Sequence, residues 1–528
     1  MTIDRAYFIH TRAGLLGAPP LSSLADVDAI AAALQKEAAR HLIVHFHGGL
    51  VPAVAGMSIA ERLYPLYRAA GHPVFFVWES GAWETIRNNI AELADEPVFK
   101  QLLRKALEYA LGKLGARSGA RSIRPSQVSR QEVAETIARF IANPRPDTIP
   151  YSDFVPSASD AQRRSAADAL DEGEIQADLE TDDDFRRALA TLPDIPAGRR
   201  SALAPGGDAT ERRTAFATLA SEMLSERPGA RGIVTLLKAA LVLKDIVVGV
   251  LGRYSSGRDH GFYATCVEEL VRAFKVFGSG VNEWAKALQW NRMKKDCSDA
   301  FGDDEACAGR ALLVRLRDLI APAGTIDRIT LVGHSTGAVA IAEWLEAGDG
   351  IFDPSIRFDL VFLAPAVSYE RFARTLKGHA GRIRNFRMFA MTDDLERADQ
   401  VWGKDPALRD ARDWRRFIYP SSLLYLVSGL LESKPRSGVD PVDEPDMPLL
   451  GMQRFFASTS TYDEQRFPEV QAVRGWLSRD PKRTVWSVVR DAGPGLNSES
   501  KDHGFFDDDP ATLESLRSIV MSGFDGAR

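Results

Sequence analysis

The apolar positions of the chain fall into two periods. "HLIVHFHGG" (41–49) and "HPVFFVWESG" (72–81) are short β-branched and aromatic runs that stop at glycine, which predicts buried strands. "AYFIH" (6–10) is a shorter run of the same kind. Between them, "LADVDAIAAALQKEAARH" (24–41) and "SIAERLYPLYRAAG" (58–71) space their apolar residues as helices do. The second of these ends at Gly71 and carries a potential kink at Pro65. Alternation of strand and helix predicts a parallel sheet with covering helices.

The alternation then stops. Residues 82 to about 325 carry helical patterns at 231–252, 262–277, 281–295 and 307–320. Three segments there read as loops and linkers: the basic, Gly/Ser-rich 113–130, the acidic "DEGEIQADLETDDDF" (171–185) and the turn-rich 195–213. Their charge runs predict solvated surface. Strands resume at "RITLVGHSTG" (328–337), "RFDLVFLAPA" (357–366), "NFRMFAMTDD" (385–394) and "KRTVWSVVRDAG" (482–493). Helices are expected at "AVAIAEWLEAG" (338–348) and "PATLESLRSIVM" (510–521). The pattern therefore predicts one α/β sheet built from 1–81 and 325–528. A large, mainly helical insertion spans 82–324, with a flexible charged part near 113–213, and a smaller insertion spans 400–470.

Composition narrows the function classes. Over 528 residues the net charge is −6, without the clustered basic excess of a nucleic-acid binder. Cys266, Cys297 and Cys307 cannot all pair and match no zinc spacing, which predicts free thiols in a reducing compartment. "MTIDRAYFIHTRAGLLG" lacks the sustained apolar run of a secretory signal. The most apolar stretch, 233–252, contains Lys238, Lys244 and Asp245, so it predicts a buried or amphipathic helix rather than a transmembrane span. Cytoplasmic localisation is the expectation, with peripheral contact with lipid left open.

"GHSTG" (333–337) fits G-x-S-x-G between a strand and a helix. A serine hydroxyl is a weak nucleophile and needs an adjacent base. To be reached it must stand on a sharp turn, where strand and helix cross closely enough to require small residues two before and two after it. Gly333 and Gly337 meet that requirement. On these residues the chain resembles the α/β-hydrolase superfamily, over roughly 40–80 and 325–525. The resemblance implies the α/β-hydrolase fold, Ser335 as nucleophile, and an acid and a histidine on later loops.

The acid implied by the resemblance is Asp393, the first carboxylate after the strand 385–394, with Asp394 as its alternative. Both residues also suit a helix cap. After the preceding strand no carboxylate comes before Glu370, and Glu396 and Asp399 are expected on a helix surface. The implied base is His503 in "SKDHGFFDDD", the one histidine after Asp393. "RDHGFY" (258–263) nearly repeats that segment, but His260 precedes the nucleophile and is read as the lead-in to a helix. The implied oxyanion donors are the N–H of Thr336 and one from "HFHGGLV" (45–51), Gly49 first, with Gly48 or Leu50 as alternatives. His41, His45, His47 and His72 have no clustered carboxylate or cysteine partners, so no metal is expected, and His47 is expected to shape the loop. No cofactor is expected.

The resemblance further implies that the insertion acts as a lid; by their helical spacing its aromatic residues Phe262, Tyr263, Phe274, Phe277, Trp284 and Trp290 are expected to be chiefly core, with one wall of the acyl pocket as the alternative. "RRFIYPSSLLYLVSGLLES" (415–433) would pack on it, line a pocket or touch lipid. The implied activity is hydrolysis of a small-molecule or lipid-like carboxylic ester through an acyl-enzyme. Lipase, phospholipase, amidase or lactonase chemistry on the same machinery remains open, as does a non-catalytic binding protein on a hydrolase fold.

Overall fold

The computed structural model describes residues 3–525 other than 50, 52, 79–95, 115, 118–128, 146–147, 153, 157, 192–232, 278–289, 321–323, 402–416, 433–445 and 458–466. The chain divides into two compact units. The first comprises Met1–Glu84, Trp290–Glu396 and Met447–Arg528, and the second Thr85–Gln289 and Arg397–Asp446.

The first unit is built on a seven-stranded sheet: β1 (Phe8–Thr11), β2 (His41–Phe46), β3 (His72–Trp78), β4 (Arg328–His334), β5 (Phe358–Leu363), β6 (Ile383–Met391) and β7 (Thr484–Ser487). The spatial order is β1-β3-β2-β4-β5-β6-β7, and every pair is parallel. A parallel sheet is covered on both faces, so its strands read as continuous apolar runs. β2 and β5 are buried at every position. Ile43, Val332, Val361 and Phe389 share one core cluster, each side chain contributing about 1.5–3 kcal/mol by leaving water. The expected strand 482–493 pairs only over Thr484–Ser487. It is an edge strand, and beyond it the chain bonds to itself between Val489 and Ser498.

The helix predicted from 58 begins earlier, spans Ala53–Arg68 and passes through Pro65. Gly56, Ala60, Leu63 and Tyr67 form its buried stripe. At the opposite end of the sheet from the elbow, Asp359 is buried, with Arg384 on both its oxygens at 2.8 Å and Arg328 at 3.0 Å.

The second unit is helical. Pro97–Leu114, Glu172–Thr181, Asp183–Ala190, Ile233–Ser255 and Phe262–Phe277 pack on one another. The acidic segment 171–185 is not a linker, as expected from its charge, but two helices. Ile175, Leu179 and Phe185 are buried, and Asp171 and Asp182 cap the helices by accepting the N–H of Glu174 and Phe185. Asp178 and Asp182 also meet the buried Lys105, both at 2.8 Å. Asp178 and Asp182 are thus internal partners, while Asp171, Glu174, Glu180, Asp183 and Asp184 are exposed, as expected of solvated surface. Segment 195–213, most of 113–130, and Trp284 lie outside the described residues. The described part of "RRFIYPSSLLYLVSGLLES" is buried within this unit.

A buried ionic cluster ties the two chain segments of this unit together. Arg253 meets Glu268 at 2.7 Å, Glu269 at 2.6 Å and Asp446 at 3.1 Å. The ring nitrogens of His260 lie 2.5 Å from Glu268 and 3.1 Å from Asp446. Tyr419 donates to Glu268, and Arg272 donates to the carbonyl of Gly429 at 2.5 Å.

No helix among the described residues is long and apolar enough to cross a membrane. All three cysteines are free and buried.

Candidate active site

The sheet order fixes where a site can form. From β2 the chain moves to β3 on one side, and from β4 to β5 on the other. The crevice at the carboxyl ends of β2 and β4 is therefore a switch point, the usual place for ligands in such sheets. The register sets Phe46 opposite Gly333, so residues 47–49 and 334–336 emerge side by side.

Ser335 stands between β4 and the helix Gly337–Ala347 with φ +53°, a left-handed conformation that non-glycine residues rarely adopt. Its N–H donates to Leu363 O at 2.8 Å, and its carbonyl accepts from Ala366 N at 3.0 Å. The flanking glycines are steric necessities. A Cβ on Gly333 would lie 2.7 Å from the backbone of Gly337, and one on Gly337 would collide with the carbonyl oxygen of Phe46.

His503 follows β7 at the start of a short 3-10 turn (His503–Phe505) and is 5% exposed. Its Nε2 lies 3.1 Å from Ser335 Oγ. Burial pushes its imidazole down to about 3, the nearby His334 adds to that, and Asp507 pulls the other way. The ring is neutral at neutral pH, the form in which a general base works.

The β2 loop lies against the elbow. A Cβ on Gly48 would sit 3.5 Å from Ser335 Cβ, and one on Gly49 would collide with Thr336 Oγ1. His47 holds this loop: its Nδ1 lies 2.7 Å from Gly48 O, and its Nε2 accepts the N–H of Trp78 at 3.2 Å. The second contact fixes the tautomer with the proton on Nδ1. The side chain of Thr336 is fully buried, and its hydroxyl has no hydrogen-bond partner among the described residues. Gly49 also lines a cavity of about 20 Å³, together with Phe76, Trp78, Met293, Asp296, Cys297 and Ala300 among others. Leu50 lies outside the described residues.

Asp393 begins a six-residue helix directly after β6, as expected, with Asp394 next to it. Its N–H donates to Gln453 Oε1 at 3.0 Å, and its carboxylate lies 3.6 Å from Arg454. Glu396 and Asp399 are not on the helix surface, as expected from their charge, but buried. Leu395 packs on the core, the exposed side of the helix is formed by Asp394 and Ala398, and Asp399 lies beyond its end. His260 belongs to the ionic cluster of the second unit.

Asp507 follows His503 in the same segment. It is 2% exposed on its side chain and lies 3.4 Å from His334 Nδ1, while His334 Nε2 donates to the carbonyl oxygen of His503 at 3.0 Å. The signal available was an acid run, "DDD" (507–509), directly after the histidine segment, but spacing alone does not separate a solvated acid from a buried one.

Among the described residues no group of three or more His, Cys, Asp or Glu is arranged to hold a metal ion. No protein-family model, curated protein or solved structure matches the chain.

Proposed function

We propose that the protein is a serine hydrolase of the α/β-hydrolase kind that cleaves carboxylic esters through an acyl-enzyme. The observation that carries the reading is Ser335 on a left-handed turn at the sheet switch point, with the neutral His503 3.1 Å from its hydroxyl. Ser335 Oγ attacks the ester carbonyl while His503 Nε2 takes the hydroxyl proton. His503 then gives that proton to the leaving alkoxide, and a water deprotonated by His503 releases the acyl group. The tetrahedral oxyanion is held by the N–H groups of Thr336 and Gly49, with Gly48 next to them. The buried hydroxyl of Thr336 supports this placement, since an oxyanion alongside it at the β2 loop gives it the partner a buried polar group requires. Asp393 supplies the acid of the triad, from its place at the end of β6 beside β7. The water-sized cavity beside Gly49 takes the smallest substituent of the acyl group.

The test is turnover of a panel of p-nitrophenyl esters of rising acyl length, with the matching anilides, by wild type and Ser335→Ala. Hydrolysis of esters that disappears in the folded Ser335→Ala protein supports the proposal. Turnover unchanged by the substitution sinks it. Cleavage of anilides over esters would favour an amidase.

A further inference from the structure

We infer that Asp507, acting through His334, is the pair that positions the base His503 and sets its charge. The inference rests on the reading of Ser335 and His503 as nucleophile and base. It assigns a role to the second residue of "GHSTG", which the elbow geometry does not use.

The geometry runs in one direction. Asp507 lies four residues beyond His503. Its side chain is nearly enclosed, with Arg62 Nη2 3.8 Å from Oδ1 and His334 Nδ1 3.4 Å from Oδ2. Arg62 also donates to the carbonyl of Asp507 at 3.3 Å, which fixes the loop to the helix Ala53–Arg68. His334, the last residue of β4, passes the connection on: its Nε2 donates to the main-chain oxygen of His503 at 3.0 Å. The two imidazoles lie 5.8 Å apart between centroids. The sheet that carries the nucleophile therefore grips the backbone of the base, and a carboxylate stands behind the grip.

Charge follows from the same contacts. His334 Nε2 donates to a carbonyl oxygen, and its Nδ1 lies 3.4 Å from the Asp507 carboxylate, within ion-pair distance but outside hydrogen-bond geometry. The groups around it are Asp507, His503 and Asp502, with His45 and His47 on β2 and its loop. Burial disfavours the charge of His334, but the Asp507 carboxylate outweighs it and the imidazole is raised above its ordinary range. Positive charge on His334 adds to burial in disfavouring a proton on His503 before the reaction. Asp507 offsets the positive charge when His503 takes the serine proton. His334 and Asp507 are positioning residues, since neither touches the serine hydroxyl.

The experiment uses the full chain and three variants. His334→Gln keeps a donor near the Nε2 position and removes the charge. His334→Leu removes both. Asp507→Asn removes the carboxylate. The rate of Ser335 labelling by a fluorophosphonate is measured from pH 4.5 to 9, along with kcat and KM for a p-nitrophenyl ester. A misplaced base lowers kcat on the order of 10- to 100-fold in His334→Leu and Asp507→Asn with KM within about twofold. His334→Gln recovers most of the loss at pH 8, and its labelling falls off at a higher pH than that of the wild type, because the charge that adds to burial in holding His503 neutral is gone. An acid limb that does not move in a folded His334→Gln protein, with wild-type kcat in Asp507→Asn, overturns the inference alone. A wild-type chain that no probe labels overturns the hydrolase reading and this inference with it.

Discussion

Nε2 of His503 lies 3.1 Å from Oγ of Ser335, although 168 residues separate them. The parallel sheet closes that gap. Ser335 leaves the carboxyl end of β4, His503 follows β7, and both ends open on the same edge of the sheet. The predictions that follow concern what that proximity needs in order to persist and to act.

The pH dependence of activity should follow folding rather than protonation of the base. Burial and His334 hold His503 down to about 3, and burial holds His45 at about 3 and His41 and His47 at about 4. These rings are neutral in the fold and charge in the unfolded chain near pH 6.5. Their contribution to stability is full above that pH and is lost as pH falls toward 3 to 4. The melting temperature should drop steadily below pH 6. Below pH 6, kcat/KM should hold until the protein begins to unfold. A bell-shaped profile with a limb near 6.5 in a fully folded protein would contradict this.

The hydroxyl of Thr336 should act on the transition state. Thr336→Val keeps the volume and removes the donor, and should lower kcat by about tenfold or more with KM nearly unchanged. Thr336→Ser should retain most of the rate. Equal kcat in the valine and serine variants would remove the hydroxyl from the oxyanion site.

The glycines differ in what they tolerate. Gly337→Ala drives a Cβ into the carbonyl of Phe46, so strand and helix must separate, at about 1–3 kcal/mol or more. Gly48→Ala meets Ser335 Cβ at 3.5 Å, an ordinary contact, and should fold with wild-type stability. Urea denaturation of both variants checks the ranking.

The ionic cluster of the second unit should make that unit acid-sensitive. Despite burial, His260 and Arg253 hold the carboxyl of Glu268 below its ordinary range, and Arg253 and His260 do the same for Asp446. A lowered carboxylate stabilises the fold above its unfolded value, and that stability is lost as pH falls through the folded value. Arg253→Leu leaves three buried carboxylates short of a partner and should cost about 3–5 kcal/mol at pH 7. Denaturation of the variant at pH 7 and pH 5 measures it.

The strands were legible because β2, β3, β4, β5 and β6 are long apolar runs that a two-faced parallel sheet requires, whereas their spatial order is set by pairings that no local pattern encodes. Gly333 and Gly337 were legible for a steric reason that the structure states in atoms. The acidic helices at 172–190 were not, because their apolar residues are few and sparse, and the acids that suggested a loop are caps and ion-pair partners. The pairing of His334 with Asp507 was hidden for another reason. It joins residues 173 positions apart, and nothing local to either predicts burial.

The most direct test of the account is fluorophosphonate labelling of the wild-type chain, with the adduct located by mass spectrometry and the labelling rate repeated in His503→Ala. The account predicts one adduct, on Ser335, formed at least about 100-fold more slowly without the imidazole. A folded wild-type protein that takes no adduct, or takes it on another residue, would contradict it.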